Sequence, residues 1–349
     1  MSKLKMMALY LGLLLFSFLI SSVLIIPYIN LLYKLKFLRK VQKTKDFLGE
    51  RTPIFDKFHK SKAGTPIGGG VLIIFVVFFL YLLLFPFLKL LGVYISTLYP
   101  IKDELNVIFF TFISFGILGF YDDLMKFFGL AQKGIFGLRL RHKFIIQWAL
   151  ALIIGAMLYL NLKIDFVYVP FLNVIKLGWL YIPFSAFVIV SFTNAFNITD
   201  GLDGLAAGLG MICLFAFWIL SHTIIDTPLS VFLALWIGAL IAFLYFNVYP
   251  ARIFLGDGGA LSFGATMAVT GLLIGKIVAL VVIGGIFVME ILSSFLQMFS
   301  KVVFKRKLFL AAPLHLWLQS IGWEEPKIVM RAWLAGIILA IFGIWLAVI

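Results

Sequence analysis

Long apolar runs separated by short polar segments dominate the chain. A helix that crosses a bilayer needs about 20 mostly apolar residues, and ten runs fit this description, although the fifth is short. They cover residues 7–33, 70–97, 105–121, 144–161, 182–196, 205–222, 229–248, 259–275, 279–300 and 330–348. The pattern predicts an all-α polytopic membrane protein of about ten transmembrane helices, forming a single integral membrane domain over residues 1–349.

Residues 162–181 interrupt this pattern. The stretch alternates in polarity, is rich in β-branched and aromatic residues, and carries Asn173 near its middle. These features are typical of two short strands joined by a turn. They predict a small extracytoplasmic β-hairpin instead of a further span.

Composition and charge agree with a membrane protein. Of the 349 residues 63% are hydrophobic and 13% charged, whereas soluble domains carry roughly 25% charged residues. The net charge of +14 would suggest nucleic acid as the partner of a soluble chain. In a membrane protein, basic residues mark cytoplasmic loops, so we expect no nucleic-acid partner.

The distribution of Lys and Arg predicts the orientation in the membrane. If the N-terminus lies outside, 22 of the 29 basic residues fall in loops that face the cytoplasm. These loops are 34–69, 122–143, 197–204, 249–258 and 301–331. The positive-inside rule favours this orientation, with both termini outside. A basic cytoplasmic face also suits an anionic soluble substrate and lipid headgroups.

Adjacent acids stand at the inner end of the third predicted span. Asp122 and Asp123 are followed by Lys126. Neighbouring carboxylates repel each other, and ionised groups near hydrocarbon are costly. A divalent cation would relieve both effects. The alternative is a pair of solvated acids at a helix end.

A second polar cluster follows the fifth span. Asn194 and Asn197 are three residues apart, so they would share one face if this segment is helical, and Asp200 and Asp203 have the same spacing. Gly201 lets the backbone approach a ligand closely. A plain polar turn would not require this spacing, which favours a binding site.

A glycine-rich loop surrounds a further acid, Asp257, within the segment from Asn247 to Gly259. Backbone N–H groups at a helix start bind phosphate well. Mg²⁺ prefers one or two carboxylates together with substrate phosphate oxygens. Taken alone, this glycine-rich string is a weak signal.

Two more segments lie on the same predicted side. The segment from Lys60 to Gly70 is basic and glycine-rich, which also fits a flexible linker. His315 follows a basic run and a proline, and its position on the same predicted side as the acids favours a functional role. Glu290 and Gln297 share a face of the ninth span, where Glu290 requires a partner that the sequence does not identify.

Together these strings resemble the polyprenyl-phosphate N-acetylhexosamine-1-phosphate transferase superfamily, which shares the DD pair, the NxxNxxDGLDGLA string and the FxGDxG string. The segments Lys62–Gly70 and Ala312–Trp333 narrow the resemblance to the phospho-N-acetylmuramoyl-pentapeptide transferases. Two departures occur. The family usually has three consecutive histidines where this chain reads His315-Leu316-Trp317, and its FMGDTGSL-type string reads FLGDGGAL here.

The resemblance implies a reaction. UDP-MurNAc-pentapeptide and undecaprenyl phosphate would give lipid I and UMP at the cytoplasmic side of a bacterial inner membrane, with Mg²⁺ as cofactor and Mn²⁺ as an alternative. It also suggests a homodimer. Direct attack and a two-step route through an aspartyl intermediate both remain open.

The resemblance also implies roles for individual residues. Asp122 would deprotonate or orient the lipid phosphate, and His315 would contact the donor or the catalytic site. Asp257 would be the leading metal ligand, supported by Asp123 and Asp200. The uridine pocket would be lined by Gly201, Leu202, Asp203, Asn247 and Phe254, with Phe254 stacking on uracil. Further candidate substrate contacts are Lys60, Thr65, Lys126, Asn194, Asn197 and Gln297.

Two other function classes remain. A sister enzyme would move GlcNAc-1-phosphate from UDP-GlcNAc; the C-terminal string argues against it, but the altered histidine run weakens that argument. A lipid or ion transporter would place charges near the bilayer midplane on broken helices. The acids here cluster at helix ends on one side, which favours an enzyme at the membrane surface.

Overall fold

The computed structural model describes residues 3–40, 56, 58, 62–90, 92–128 and 140–349. Twelve α-helices and one two-stranded sheet form within them. The helices are α1 (Lys3–Lys34), α2 (Gly69–Leu90), α3 (Ile101–Phe127), α4 (Leu140–Leu160), α5 (Tyr181–Thr199), α6 (Leu205–Thr223), α7 (Thr227–Asn247), α8 (Gly256–Leu273), α9 (Ile277–Ile283), α10 (Gly285–Val303), α11 (Leu314–Ser320) and α12 (Glu325–Val348). This confirms the predicted all-α membrane fold.

Within the described ranges, nine helices are long and apolar enough to cross a membrane, namely α1 to α7, α10 and α12. Helix α8 corresponds to the eighth predicted span but is rich in Gly, Ala, Ser and Thr. It packs against α3, α5 and α2, and every residue from Gly258 to Leu273 is buried. Because protein surrounds α8, it does not need the apolar surface of a lipid-facing helix. Its small residues let neighbouring helices approach closely.

The ninth predicted span, 279–300, was wrong as one continuous helix. The structure divides it at Gly284 into α9 and α10. The Phe192 ring of α5 lies against Gly284, leaving no room for a Cβ atom there. Helix α9 begins just after a turn in which Gly275 adopts a φ of +72°.

The predicted hairpin is confirmed. Strands β1 (Phe166–Val169) and β2 (Asn173–Lys176) pair antiparallel. Asn173 adopts a φ of +64° at the start of β2, a conformation that Asn tolerates better than most residues. The ammonium group of Lys276 lies 3.8 Å from the centroid of the Tyr168 ring, which ties the hairpin to the turn between α8 and α9.

The described parts of the five loops predicted to share one side meet at one end of the bundle. The segment before α2 pairs with the loop before α8, because the Phe254 N–H donates to the Pro66 carbonyl at 2.8 Å and the Phe254 carbonyl accepts from the Gly69 N–H at 2.9 Å. The contacts described below join the remaining loops to this end. That this end faces the cytoplasm, with both termini outside, stays a prediction.

Candidate active site

Two acids and two lysines meet where α3, α4 and α8 come together. Lys126 Nζ lies 2.7 Å from Asp257 Oδ2 and 3.0 Å from Asp122 Oδ2. Lys143 Nζ lies 2.7 Å and 2.9 Å from the same two oxygens. Asp122 and Lys126 are one turn apart on α3, so they share a face. We call these four residues the acid–lysine cluster; their formal charges sum to zero.

Asn197 and Asp123 extend this cluster. The Asn197 side-chain amide donates to Asp257 Oδ1 at 3.0 Å, and the Gly258 N–H at the start of α8 donates to Asp123 Oδ2 at 3.1 Å. Gly256 has a φ of +79° and lies so close to Asp123 that a Cβ atom would sit 2.7 Å from Oδ2. The adjacent acids thus have different partners, since Asp122 faces the lysines and Asp123 binds the first turn of α8.

The side chains available as ligands can be compared with those that the proposed metal ion needs. Within the described residues, no three His, Cys, Asp or Glu side chains are grouped so as to hold a metal ion. A Mg²⁺ ion needs only one or two carboxylates when substrate phosphates supply further oxygens. Asp257 and Asp123, placed beside the start of α8, fit that smaller set.

Asp200, the third proposed metal ligand, follows α5 directly. Burial raises the pKa of its carboxyl to about 8, even though the positive charges of Arg39 and Lys62 act in the opposite direction. Asp257 and Asp123 also raise this pKa. A bound cation would favour the ionised carboxylate, because a metal charge dominates the local electrostatics.

The segment from Asp200 to Gly204, here called the Asp200–Gly204 turn, holds three of the residues predicted to bind uridine. Its Gly204 N–H donates to Asn247 Oδ1 at 3.2 Å, and Asp203 Oδ2 accepts from the Ala251 N–H at 2.9 Å. Leu202 is buried. These contacts place Asp203 and Gly204 beside Asn247 and the loop before α8. That these residues bind uridine stays a prediction.

Phe254 lies beside Arg39, whose guanidinium carbon is 5.1 Å from the centroid of the ring. The Arg39 N–H also donates to the Thr65 carbonyl at 2.9 Å. Stacking of Phe254 on uracil and contact of Thr65 with substrate stay predictions. Lys60 lies outside the described residues.

His315 supplies the partner that Glu290 required. Glu290 Oε2 lies 3.0 Å from His315 Nδ1, and Glu290 Oε1 accepts from the His315 N–H at 3.2 Å. Both side chains are buried. The Nε2 atom of His315 lies over Gly201, where a Cβ atom would be only 2.5 Å away. With Nδ1 facing the carboxylate, Nε2 is the ring nitrogen directed at the Asp200–Gly204 turn.

The two residues that replace the family's later histidines pack into the protein. Leu316 is 3% exposed, and the Trp317 ring lies 6.2 Å from the ring of Phe309. An imidazole at position 316 would need a buried partner. The two residues that depart from the family's histidine run are therefore ones through which α11 packs against the protein.

Two of the predicted substrate contacts have partners within the scaffold. Gln297 Nε2 donates to the Phe309 carbonyl at 3.0 Å, and its Oε1 accepts from the Phe309 N–H at 2.8 Å. Asn194 Nδ2 donates to Gln147 Oε1 at 2.8 Å. Contact of Gln297 or Asn194 with substrate stays a prediction.

Lys143 is the member of the cluster that sequence reasoning missed. It stands near the start of α4 beside Arg141 and His142, in a stretch that resembles any basic cytoplasmic loop. Its one distinguishing signal is its position at the edge of an apolar run on the same side as the acids. Only the packing of α4 against α3 and α5 brings it to Asp122 and Asp257.

The chain resembles known proteins over nearly its whole length. Residues 105–275 match the family described as glycosyl transferase family 4. The phospho-N-acetylmuramoyl-pentapeptide-transferase of Bacillus pumilus is 34% identical over 332 residues, covering 95% of each chain. That of Bacillus subtilis is 34% identical over 342 residues, covering 96% of each. That of Borrelia hermsii is 36% identical over 302 residues, covering 81% of this chain and 82% of its own.

Proposed function

Because the chain belongs to the phospho-N-acetylmuramoyl-pentapeptide-transferase family, we propose that it transfers phospho-N-acetylmuramoyl-pentapeptide from UDP-MurNAc-pentapeptide to undecaprenyl phosphate. The products are lipid I and UMP, and the reaction is a membrane step of peptidoglycan synthesis. The observation that carries the proposal is the acid–lysine cluster at one end of a membrane-spanning bundle, joined to the Asp200–Gly204 turn through α5. Asn197 binds Asp257, and the turn begins three residues later.

The reaction exchanges one phosphoryl bond for another. An oxygen of the lipid phosphate forms a bond to the phosphorus that carries the sugar, and the bond from that phosphorus to the oxygen of UMP breaks. Negative charge develops on the phosphoryl oxygens and on the leaving phosphate. Phosphoryl transfer leaves a protein mainly the tasks of positioning and charge stabilisation.

The acid–lysine cluster supports these tasks. Lys126 and Lys143 are each shared between Asp122 and Asp257, so their ammonium groups are held in place before substrate arrives. Preorganised positive charge of this kind stabilises a developing anion without reorganisation. The side chain of Lys126 is 41% exposed, which leaves it accessible to a phosphate group.

Asp122 would orient the lipid phosphate or accept its proton, because it lies between the two lysines at the end of α3. A Mg²⁺ ion, with Asp257 as leading ligand and Asp123 and Asp200 in support, would neutralise the charge of the donor pyrophosphate. His315 and the Asp200–Gly204 turn would hold the nucleotide end of the donor.

A direct assay tests the proposal. The purified protein is incubated with undecaprenyl phosphate, Mg²⁺ and either UDP-MurNAc-pentapeptide or UDP-GlcNAc, and the lipid product and UMP are measured. We expect turnover of the muramoyl donor alone. Turnover of UDP-GlcNAc alone would assign the chain to the sister reaction, and no lipid product with either donor would refute the transferase assignment.

The proposed location of the site is the cytoplasmic side of the bacterial inner membrane. Cys213 is buried, so the unmodified chain gives a low background for thiol labelling. Lys307→Cys at the site end should resist a membrane-impermeant maleimide in intact cells, whereas Leu172→Cys at the hairpin should react. Both residues are exposed. The opposite labelling pattern would invert the orientation. A homodimer stays a prediction.

A further inference from the structure

Three charged side chains from distant parts of the chain meet beside the Asp200–Gly204 turn. Lys62 Nζ lies 2.6 Å from Glu325 Oε1 and 2.7 Å from Asp203 Oδ1. Lys62 is 7% exposed, Asp203 5% and Glu325 10%. Lys62 precedes α2, Asp203 lies between α5 and α6, and Glu325 begins α12, so the contact joins three segments at the site end of the bundle.

The same groups also bind the backbone of the turn. Glu325 Oε1 accepts from the Asp203 N–H at 2.6 Å, and Lys62 Nζ donates to the Gly201 carbonyl at 3.2 Å. One carboxylate oxygen thus serves both the lysine and the turn. We call Lys62 and Glu325 the clasp.

A second contact from α12 supports the clasp. Trp333 Nε1 donates to the Gly204 carbonyl at 3.2 Å, and its ring lies on Gly208 with no room for a Cβ atom. Glu325 and Trp333 are eight residues apart, which places them on one face of a helix. The first turns of α12 are therefore fastened to the Asp200–Gly204 turn at both of its last two residues.

We propose that Glu325, together with Lys62, is a positioning residue that holds the Asp200–Gly204 turn in the shape that binds the nucleotide end of the donor. The proposal rests on the function proposed above. Neither residue belongs to the acid–lysine cluster, and both act through the turn. The clasp should therefore govern donor affinity more than the chemical step.

The turn requires such an external restraint. It contains Gly201 and Gly204, and Gly204 adopts a φ of +77°. Glycine has more conformational freedom than any other residue, so an isolated turn of this sequence would sample many shapes. A binding segment that is ordered before the ligand arrives avoids an entropic cost on binding.

Substitution can separate the two contacts of Glu325, which are the hydrogen bond from the Asp203 N–H and the ion pair with Lys62. Glu325→Gln keeps an oxygen that can accept from the Asp203 N–H but removes the charge that pairs with Lys62. Glu325→Ala removes both. The neighbouring Glu324 is exposed, so Glu324→Gln is a matched control for the loss of one negative charge at the same place.

The test compares steady-state constants of the purified wild type and these variants. For Glu325→Ala we expect the KM of UDP-MurNAc-pentapeptide and the Ki of UMP to rise together by about tenfold or more, as for loss of a charge-assisted hydrogen bond network. The KM of undecaprenyl phosphate and kcat should stay within roughly threefold, the signature of lost uniform binding. Glu325→Gln should lie between wild type and Glu325→Ala, and Glu324→Gln should match the wild type.

A double-substitution cycle tests the pairing itself. Because Lys62 and Glu325 bind each other and hold the same turn, the effect of Lys62→Met combined with Glu325→Gln should not exceed that of the larger single change by more than roughly twofold. Independent, multiplying effects would contradict the shared clasp. Lys62→Met and Glu325→Gln also carry the test if Glu325→Ala does not fold, which thermal unfolding in detergent would report.

The outcomes separate this proposal from the function on which it rests. If the wild type makes no lipid product from either donor, the proposed function fails. If the wild type is active but Glu325→Ala keeps its donor KM and UMP Ki, the clasp proposal alone is overturned. It is also overturned if Glu325→Ala lowers kcat alone and leaves the Ki of UMP unchanged.

Discussion

The acid–lysine cluster and the clasp both consist of carboxylates paired with ammonium groups. They differ in how exposed a lysine is and in whether the charged groups bind backbone atoms. Both pair carboxylates with ammonium groups at 2.6 to 3.0 Å. In the cluster the side chain of Lys126 is 41% exposed. The ammonium groups of the cluster are paired with the carboxylates of Asp122 and Asp257. In the clasp Lys62 is 7% and Glu325 10% exposed, and both side chains also bind backbone atoms of the turn.

This difference assigns different tasks to two sets of charges. Lys126, whose side chain is 41% exposed, can contact an anionic substrate that enters the site. Buried charges bound to backbone atoms cannot change partners without leaving polar groups unpaired, which is costly. The cluster is therefore suited to stabilising transferred charge, and the clasp to fixing the shape of a binding turn.

Removal of the proposed metal ion from the acid–lysine cluster should have the largest effect on activity. We expect chelation with EDTA to abolish transfer and added Mg²⁺ or Mn²⁺ to restore it, because hard cations suit carboxylate and phosphate oxygens. Thermal stability should change little, since Lys126 and Lys143 already compensate the carboxylates. Full turnover in chelator would remove the metal from the proposal.

Neutralising one acid of the cluster should come next. Asp257→Asn keeps the shape of the side chain and removes the charge that holds both lysines, so kcat should fall by on the order of 10²-fold or more. Steady-state assays at saturating donor and acceptor would measure it. Asp122→Asn should behave similarly.

Asp103→Asn is the control for both variants, because it removes a carboxylate from the opposite end of α3. It should leave kcat unchanged. Near-normal turnover of Asp257→Asn would mean that this carboxylate has only a structural role.

The contact between Glu290 and His315 should show a smaller effect. Glu290→Gln keeps hydrogen bonding but removes the charge that favours the Nδ1–H form of His315, so we expect kcat/KM for the donor to fall by about tenfold. His315→Ala should cost at least as much. If both variants are fully active, His315 acts only in packing.

Restoring a family histidine at a buried position should chiefly affect stability. Leu316 is 3% exposed, so Leu316→His would bury an imidazole without a partner and lower the free energy of unfolding by about 1–3 kcal/mol. Trp317→His, at a partly exposed position, should cost less. Thermal unfolding in detergent compares the two. A stable, more active Leu316→His variant would show that the packing contact is dispensable.

The amino-acid sequence was sufficient to predict the features that depend on local pattern. Apolar runs of spanning length predicted the helices, and alternation around Asn173 predicted the hairpin. Basic loops predicted which segments meet at one end of the bundle. Asp122 and Asp123 stood out because adjacent carboxylates near hydrocarbon are costly. Asp257 stood out because it lies in a glycine-rich loop, and His315 because it follows a basic run and a proline on the same predicted side.

Only the tertiary structure decided which of these groups are partners. Lys62 and Glu325 are separated by 263 residues and Lys126 and Asp257 by 131, and no periodicity connects positions so far apart. Lys143 and Glu325 look like ordinary loop and helix-start residues until packing brings them to an acid or to a backbone N–H. The burial of α8 and the break at Gly284 likewise follow from neighbouring helices. Local pattern sets where the chain crosses the membrane, whereas helix packing sets which charges meet, because a charge is paired by proximity in space and not along the chain.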